Sequence, residues 1–300
     1  MKLIGILEMA APDGDRLAYW QVFVDALGAC GLVKNRDYAL CLCWANGSKD
    51  RLARAAQELI ADSVDVIVTA GTPAAAAAMQ ATSDIPIVMA TGVSLGTNLS
   101  NPDAPASCNA TGISDLPRGI SKLRLSLLRE ALVPDARLAF LADRANPSSP
   151  LAVQETLAAA SELGIDVVIY WLEDWPQIAS VLGAMRADGV GGFVVAPGAM
   201  FFARRHELAS HALDHGLATV AVRREYAEAG CLMAYGAPLR ENYSEAARLV
   251  SRILAGEKPS DIPITEPTTF ELVMNLDSAQ ALRIDMPASL LARAETFPRS

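Results

Sequence analysis

Short apolar runs alternate with amphipathic segments along almost the whole chain, and this alternation is the feature that most limits its fold. Runs of about four to eight residues rich in Val, Ile and Leu are typical of buried strands, whereas the segments between them repeat apolar residues at helical spacing. A βαβα order predicts parallel sheets that are covered by helices on both faces. The predicted strands are LIGIL (3–7), YALCLC (38–43), VIVTA (66–70), IPIVMA (85–90), RLAFLA (137–142), DVVIYW (166–171), GFVVA (192–196), LATVAV (217–222) and CLMAY (231–235).

A break in this pattern divides the chain into two series of strands and helices. Residues 92–112 are rich in Gly, Asn, Ser and Pro, and a long helix is predicted near 118–132, directly after them. We therefore expect α/β lobes over 1–113 and 116–233, each a doubly wound parallel sheet. The residues that follow contain a helix with a stop at Gly256 and then an extended stretch, which the pattern alone assigns to neither lobe.

Composition excludes several classes of partner. The chain has 300 residues and a hydrophobic content of 52%, which is enough for two domains with separate hydrophobic cores. Its formal net charge of -9 disfavours a surface that binds nucleic acid or an anionic membrane. The longest apolar run, at 190–203, is short for a membrane span and is broken by Pro197. The start, MKLIGILEMA, lacks the pattern of a secretory signal, so we expect a cytoplasmic protein or a mature form whose signal has been removed.

The stretch VDVIVTAGTPAAAAAM, residues 64–79, predicts a strand, a tight turn and a helix. Thr72 and Pro73 have the pattern of an N-cap followed by a proline at the first helical position. A helix start of this kind carries partial positive charge and unpaired N–H groups, which suit a carboxylate or a phosphate. The alternative is that Thr72 only caps a structural helix.

Ligands of open α/β sheets bind beyond the carboxyl ends of the strands, so the turns after the predicted strands are the candidate site. In the first lobe these turns contain Glu8, Met9, Trp44, Asn46, Thr69, Gly71, Thr72, Thr91 and Gly92. In the second lobe they contain Asp143, Arg144, Asn146, Pro197, Gly198, Arg224, Glu225 and Tyr226, and Tyr235 lies at the end of its last predicted strand.

Several of these residues have a second interpretation. A carboxylate at the end of a buried strand needs a partner, so Glu8 faces either a ligand cation or an arginine. Trp44 either stacks on a ligand or packs in the core. Asp143 and Arg144 form either part of the site or a turn ion pair, and Asn146 before a proline is also a common turn signal.

Several motifs of phosphate, cofactor and metal binding are missing from the sequence. It contains no P-loop, no GxGxxG after a strand and no HExxH. His211 and His215 stand one helical turn apart, but no third ligand accompanies them, so a solvated helix face is favoured over a metal pair. Cys41 and Cys43 have no CxxC spacing and are expected to pack. We predict no enzyme activity, no cofactor and no metal.

Several segments, taken together, resemble one family over essentially the whole chain. The segment VDVIVTAGTPAAAAAMQATSDIPIVMA is similar to the first lobe of the tryptophan/tyrosine-type substrate-binding proteins of ABC transporters, which have the type I periplasmic-binding-protein fold. The same order of motifs continues with NATGIS (109–114), AGCLMAYG (229–236), RLVSRILAGEKPSDIPITEPTTFELVMNLDSAQAL (248–282) and PASLLARAE (287–295).

The resemblance implies two lobes joined by a hinge of three crossing segments, near 112–117, 234–238 and 265–270. Residues 238–268 would then belong to lobe one, and part of 270–300 to lobe two. It also implies a venom-flytrap closure of an interlobe cleft around a small solute, which is delivered to an ABC permease and its ATPase. Such proteins work in the periplasm or elsewhere outside the cytoplasm.

The family uses the first-lobe turn to bind its ligand, which carries over to Thr69, Gly71 and Thr72. Three positions depart from its pattern. Members that bind amino acids have Thr-Asp-Asn after a second-lobe strand, where this chain has Ala-Pro-Gly-Ala at 196–199. Gly-Val-Ser replaces the usual Asp-Pro-Val from residue 92, and Cys231 replaces a glycine.

Our hypothesis from the sequence is a small carboxylated ligand, amino-acid-like or aromatic, whose acid group lies near Thr72. Trp44, Tyr226 or Tyr235 would cover its apolar body, and Arg144 or Arg224 would neutralise a second acidic group. A ligand-sensing domain of the same fold, signalling to a partner protein, is the second hypothesis. An enzyme on this scaffold is the third.

Overall fold

The computed structural model describes residues 1–93 and 109–297. The chain divides into two compact units. Unit 1 is formed by Met1–Leu116 and Leu239–Pro267, and unit 2 by Pro117–Pro238 and Thr268–Ser300. The backbone therefore passes from one unit to the other three times.

Unit 1 is a parallel sheet with helices on its faces. Its elements are β1 (Lys2–Glu8), α1 (Gly14–Ala29), β2 (Tyr38–Trp44), α2 (Lys49–Ala61), β3 (Val66–Ala70), α3 (Thr72–Ala81), β4 (Ile87–Thr91), β5 (Ala110–Gly112) and α10 (Leu239–Leu254), followed by a 3-10 turn (Pro259–Asp261). In the described residues the strand order is β2-β1-β3-β4-β5, and every pairing is parallel.

Alternation of side chains along the strands decides which helices cover each face of this sheet. Leu7, Ile67 and Ile87 belong to one buried cluster with residues of α2 and α3, such as Leu59 and Ala74. The helices α1 and α10 pack against each other, and α10 packs on β3 and β4. Burial on both faces explains why β3 and β4 are apolar throughout.

Unit 2 is also an α/β sheet. Its elements are α4 (Ile120–Ala131), β6 (Arg137–Asp143), α5 (Ser149–Leu163), β7 (Val167–Leu172), a 3-10 turn (Trp175–Gln177), α6 (Ile178–Ala187), β8 (Val190–Val195), α7 (Ala199–Ala203), α8 (Arg205–Asp214), β9 (Ala218–Ala221), α9 (Arg224–Glu228), β10 (Met233–Gly236), β11 (Glu271–Asn275), α11 (Leu276–Ala281), α12 (Ala288–Leu291) and β12 (Glu295–Phe297). In the described residues the order is β12-β11-β10-β9-β8-β6-β7.

The predicted fold class is confirmed, because both sheets are dominated by parallel strands with helices between them. The strands β5, β11 and β12 were not predicted. β11 pairs with β10 in the antiparallel direction, with Ala234 opposite Val273, which departs from a purely parallel sheet. The sequence pattern did not predict whether this strand runs parallel or antiparallel to its neighbour, because pairing between distant segments decides the strand direction and periodicity does not.

None of the helices in the described residues combines the length and the apolar character that a bilayer span requires. The run at 190–203, the longest apolar stretch of the sequence, forms β8 and the short helix α7.

Among the described glycines of unit 1, Gly112 has the least room for a side chain. Its φ is +143°, and a Cβ atom added there would lie 2.3 Å from the Met89 carbonyl oxygen. We expect Gly112→Ala to lower the free energy of unfolding by roughly 3 kcal/mol or more, since backbone strain and overpacking add. Urea denaturation of the purified variant measures this loss.

Gly28→Ala is the matched control for that substitution. Gly28 lies in α1, and a Cβ atom there would have no neighbour within 4 Å. The control is expected to leave stability unchanged or to raise it by up to about 1 kcal/mol. Equal stability of the Gly112→Ala protein and the wild type would contradict the close approach to Met89.

Candidate functional site

The carboxyl ends of β1, β3 and β4 lie at the same edge of the unit 1 sheet because these strands are parallel neighbours. The predicted residues Glu8, Thr69 and Thr91 are therefore brought to one edge, together with Gly71 and Thr72 in the turn after β3. In open α/β sheets this is the edge at which ligands bind.

The start of α3 corrects one prediction. Gly71, with φ +87°, is the N-cap of this helix, and Thr72 makes no capping bond. The Thr72 hydroxyl instead accepts a hydrogen bond of 2.9 Å from the Val93 N–H. A threonine whose side chain reaches across to the next turn cannot also fold back on its own helix, so Thr72 joins two turns of the edge.

The turn after β3 is fixed by β4 as well. The Gly71 N–H donates to both the carbonyl oxygen of Thr91, at 3.0 Å, and its hydroxyl oxygen, at 2.9 Å. Pro73 has no N–H to offer. Within the described residues the Thr72 N–H has no acceptor, so the first turn of α3 presents one backbone donor.

Gly92 lies against this helix start and is held by a residue that the sequence analysis missed. A Cβ atom on Gly92 would lie 3.0 Å from the Thr72 nitrogen. The Gly92 N–H donates to Asp115 Oδ2 at 2.8 Å, and Asn242 of α10 donates to Asp115 Oδ1 at 3.0 Å. No local motif distinguishes Asp115 or Asn242 in the sequence, because their partners are distant along the chain.

Glu8 has the arginine partner that was one of its two predicted interpretations. Its carboxylate is 1% exposed, and Arg16 Nη1 donates to Glu8 Oε1 at 3.1 Å. Burial raises the pKa of Glu8 to about 7, against the opposing effect of the positive charge on Arg16. Breaking such a buried pair by removing one partner typically costs about 3–5 kcal/mol.

Aromatic side chains of α1 and α10 surround this ion pair on one side. Trp20 is buried and packs edge-on against Tyr243, with ring centroids 4.9 Å apart, and Tyr19 stacks on Tyr243 at 5.5 Å. The sequence analysis missed Arg16 and Trp20, although these residues stand four positions apart, about one helical turn, in the helix that follows Glu8. That spacing was the available signal.

Met9 and Trp44 take part in the packing of the edge. Met9 packs against the buried cluster that includes Leu59 of α2 and Ala74 of α3. Its carbonyl oxygen accepts a hydrogen bond of 2.7 Å from the Gly47 N–H. Trp44 is half-buried and lines a pocket of about 210 Å³ with Arg51 and other residues of α2. Arg51 Nε donates to the Trp44 carbonyl oxygen at 2.6 Å.

Asn146 joins two turns at the carboxyl edge of unit 2. Its amide nitrogen donates to the Pro197 carbonyl oxygen at 3.0 Å. Its side-chain oxygen accepts from the N–H and the hydroxyl of Ser148. Asp143 is buried and accepts from the Ala145 N–H at 2.8 Å. These bonds bring Asp143, Asn146 and Pro197 together, as the positions of their strands predicted.

Arg144 and Arg224 have other partners than those the sequence suggested. Arg144 does not pair with Asp143 but with Glu173, at 3.0 Å, and its guanidinium lies 3.9 Å from the Trp171 ring centroid. Arg144 is therefore paired with a carboxylate of the protein itself.

Arg224 binds three carboxylates. Its guanidinium pairs with Glu271 at 2.9 Å, with Glu228 at 3.3 Å and with Glu295. The bonds to Glu295 and Glu271 raise the pKa of Arg224 above its ordinary range. They link α9 to β11 and β12, so Arg224 is a structural residue of the antiparallel edge and does not neutralise a ligand acid.

The tyrosines predicted to cover a ligand occupy different surroundings. Tyr226 is 0% exposed, and its ring meets that of Phe202 edge-on at 5.9 Å. Tyr235 is half-buried and stacks on Phe270 at 5.9 Å. Glu225 is buried beside Tyr226 on α9. A fully buried Tyr226 reaches a ligand only if its surroundings rearrange.

Cysteine and histidine chemistry does not define this edge. Cys231 is fully buried, and burial raises the pKa of its thiol to about 12, which is typical of an unreactive core cysteine. His215 Nδ1 lies 2.8 Å from the His211 carbonyl oxygen. The described residues contain no cluster of three potential metal ligands. Ser94 and Cys108 lie outside the described residues.

Buried polar atoms without a hydrogen-bond partner in the described residues occur in both units. In unit 1 they include Glu8 Oε2, Trp20 Nε1 and Thr69 Oγ1, and in unit 2 Ser149 Oγ and Tyr226 Oη. Each such group costs about 1–3 kcal/mol, so its retention in a native structure calls for an explanation such as a bound molecule.

Two α/β units with polar and charged side chains at the carboxyl ends of their strands have the arrangement in which open-sheet proteins bind ligands. The chain belongs to the ABC transporter substrate binding protein family, whose sequence profile matches residues 4–297. This is a family of substrate-binding proteins and not of enzymes.

Solved structures show the same fold. A protein described as the ABC domain in complex with L-Trp, from Streptococcus pneumonia, has 23% identity and a TM-score of 0.87, over 98% of this chain and 99% of that one. A conserved domain protein from Vibrio cholerae has 20% identity and a TM-score of 0.88, with the same coverage. A ligand-free, open substrate-binding protein with adhesive properties from Clostridium difficile has 21% identity and a TM-score of 0.71, over 100% of both chains. A search of curated proteins found no sequence match.

The pKa of Glu8 predicts a pH-dependent stability. Burial raises this pKa from its ordinary 4.5 to about 7. The folded protein therefore binds the proton more tightly than the unfolded chain, and this contribution to stability is present below pH 4.5 and is lost as the pH rises through about 7. Because Glu8→Gln cannot titrate, its free energy of unfolding relative to wild type should increase across that window, as urea denaturation at several pH values will measure.

The control for this experiment is Glu241→Gln, which removes an exposed negative charge from α10 of the same unit. Its stability relative to wild type should stay constant over the window. If Glu8→Gln and Glu241→Gln behave alike, the pKa of Glu8 is not raised.

Proposed function

We propose that this protein is the solute-binding component of an ABC importer that works in the periplasm or elsewhere outside the cytoplasm. It captures a small carboxylated ligand, amino-acid-like or aromatic, and delivers it to a membrane permease driven by an ATPase. The observation that supports this most is the family match over residues 4–297. The relative from Streptococcus pneumonia, solved with L-Trp, supports the ligand class.

We propose that the ligand contacts the carboxyl edge of the unit 1 sheet through the turn after β3. Gly71 is held by Thr91, and the Thr72 N–H points from the start of a ten-residue helix. A helix start favours an acidic group. Thr69 contributes a buried hydroxyl without a partner among the described residues. Met9 and Trp44 are proposed to complete the contacts of this unit.

Glu8 is our proposed acceptor for a ligand ammonium. The Thr-Asp-Asn turn that serves amino-acid-binding members is replaced here by Ala-Pro-Gly-Ala at 196–199, so another carboxylate is needed. Glu8 Oε2 is buried and has no hydrogen-bond partner in the described residues. A cation arriving there would also lower the raised pKa of Glu8.

The predicted contacts of unit 2 remain part of the proposal. They comprise Asp143, Asn146, Pro197, Glu225, Tyr226 and Tyr235, at the carboxyl edge of that sheet. We also retain the proposed hinge segments near 112–117, 234–238 and 265–270. Hinges of this kind concentrate the change of backbone angles in a few residues between elements.

A thermal-shift screen tests the ligand class. The purified protein is heated with amino acids, aromatic acids, short dicarboxylates or nucleosides. A ligand present at about one hundred times its Kd adds about 2.7 kcal/mol to the free energy of unfolding, so the melting temperature rises visibly. We expect the rise with an amino acid or an aromatic acid, and no turnover of it.

A rise confined to nucleosides would contradict the carboxylated ligand. A co-purified ligand would hide a shift, so mass spectrometry of the denatured protein accompanies the screen. A co-purified molecule without an acid group would also contradict the proposal.

Thr72→Ala tests the turn after β3. The substitution removes the acceptor of the Val93 N–H, frees the neighbouring turn and should weaken binding of the ligand found in the screen by more than twofold in calorimetric titration. Thr72→Ser keeps the hydroxyl and should retain most of the affinity. If Thr72→Ala binds within twofold of wild type, the ligand does not depend on this turn.

A further inference from the structure

A single carboxylate joins the place where the chain leaves unit 1 to the place where it returns. The chain leaves this unit after Leu116 and re-enters it at Leu239. Asp115 lies directly before the exit, and Asn242 lies in the first turn of α10, which begins at the re-entry. Asn242 Nδ2 donates to Asp115 Oδ1 at 3.0 Å. These two crossings of the backbone are therefore tied to each other within unit 1.

The third crossing is held beside the first by backbone hydrogen bonds. Thr265 lies two residues before this part of unit 1 ends at Pro267. Its N–H donates to the Gly112 carbonyl oxygen at 2.9 Å, and its carbonyl oxygen accepts from the Ser114 N–H, also at 2.9 Å. The segment 112–115 is thus bonded to both of the other crossings.

The same carboxylate holds the turn that lies against the start of α3. The Gly92 N–H donates to Asp115 Oδ2 at 2.8 Å, and the Asp115 N–H donates back to the Gly92 carbonyl oxygen at 2.7 Å. A Cβ atom on Gly92 would lie 3.0 Å from the Thr72 nitrogen. The next N–H, that of Val93, donates to the Thr72 hydroxyl at 2.9 Å. A displacement of Gly92 would therefore disturb the contacts of Thr72 as well.

Both side-chain oxygens of Asp115 accept from donors that are far apart in the sequence. An ionised carboxylate accepts hydrogen bonds and donates none, so it suits a position that faces two donors. Bonds to a charged acceptor are also stronger than those between neutral groups. Asn242 is buried and Asp115 is half-buried. The turn at Gly92 therefore has little freedom to move without breaking one of these bonds.

We infer that Asp115 is a positioning residue that couples the proposed ligand turn at Thr72 to the segments where the chain crosses between the units. The inference rests on the proposed function, which assigns the ligand to this turn and the change of backbone angles to the crossings. Ligand binding and a change in the crossing segments then affect each other reciprocally, because one carboxylate holds both. This role requires no contact between Asp115 and the ligand.

Hydrogen exchange of the protein without added ligand is the first test. Asp115→Ala removes both acceptors, so exchange at the amides of Gly92 and Val93 should become faster by roughly tenfold or more. Asp115→Asn keeps an acceptor for Gly92, and its amide can donate to Asn242 once the Asn242 amide has turned over. Exchange in that variant should stay within about threefold of wild type, because the hydrogen bonds and not the charge fix the turn.

An exchange of the two side chains makes the test independent of the alanine variant. Asn242→Asp sets two carboxylates against each other, and since neither donates, exchange at Gly92 and Val93 should become faster as in Asp115→Ala. The double variant Asp115→Asn, Asn242→Asp restores one donor and one acceptor. Its exchange should return to within about threefold of wild type. Side chains that only filled space would show no such restoration.

Asp65→Ala is the matched control. Asp65 is another carboxylate of unit 1 that accepts from a backbone N–H, that of Leu3 at 2.7 Å, but it stands directly before β3 and not after a strand. Its loss should lower the stability of the same unit while exchange at Gly92 and Val93 stays as in wild type.

Calorimetric titration with sodium benzoate, an aromatic carboxylate of the proposed ligand class, measures the coupling to binding. Asp115→Ala should weaken benzoate binding by roughly fivefold or more. Asp115→Asn, the double variant and Asp65→Ala should bind within about twofold of wild type. If Asp115 acted on the anion by its charge, both Asp115→Ala and Asp115→Asn would bind benzoate more tightly, and this result would overturn the positioning role.

The inference and the proposed function fail separately. Unchanged exchange at Gly92 and Val93 in both Asp115→Ala and Asn242→Asp would overturn the inference and leave the proposed function standing, and so would unchanged benzoate affinity in Asp115→Ala. If benzoate does not bind, the titration is made with the carboxylated compound found in the thermal-shift screen. If exchange responds as expected and the screen yields only a nucleoside, whose binding Asp115→Ala weakens, the positioning role stands and the proposed ligand class is wrong.

Discussion

The hydrogen bonds from Gly71 to Thr91 hold the turn on which the carboxyl edge of unit 1 depends. Gly71 donates with φ +87°, a conformation that disfavours any side chain, and its carbonyl oxygen accepts from Ala74 and Ala75 to begin α3. The same turn presents Thr72 to Val93. One glycine therefore sets the end of β3, the beginning of a helix and the position of the next turn.

Further along this edge the network reaches helices that are distant in the chain. Asp115 binds the Gly92 N–H and the Asn242 amide, so a turn after β4 is fixed by α10, which begins more than a hundred residues later. On the neighbouring strand the buried pair of Glu8 and Arg16 fixes the start of α1. Polar groups that are costly to bury are thus concentrated at the edge of the sheet where we propose that the ligand binds.

Much of the fold was predictable because it is encoded locally. All nine predicted strands are present, and each has the apolar run that burial in a parallel sheet requires. The antiparallel strand Glu271–Asn275 and the edge strand Glu295–Phe297 were not predicted, since pairing with distant strands decides them. Arg224, next to a predicted turn, belongs to that same edge through Glu271 and Glu295, which explains why its position in the sequence was misleading.

The candidate site was predictable only as a set of turns. Topology brought Asp143, Asn146 and Pro197 together as expected, because strand order alone determines which turns are neighbours. The atoms that the side chains of Thr72 and Arg144 contact were not predictable. Those contacts depend on the geometry of the next turn or strand, for which a single sequence has no periodic signal.

The insertion of α10 between two paired strands affects how the protein is made. β10 and β11 are hydrogen-bonded neighbours in unit 2, yet the chain between them, Leu239–Pro267, belongs to unit 1. During synthesis from the N-terminus, unit 1 lacks its last helix until residues 239–254 have emerged, and unit 2 lacks an edge of its sheet until β11 and β12 follow. Neither unit is one continuous stretch of the chain, so neither completes its fold before the chain has returned to it.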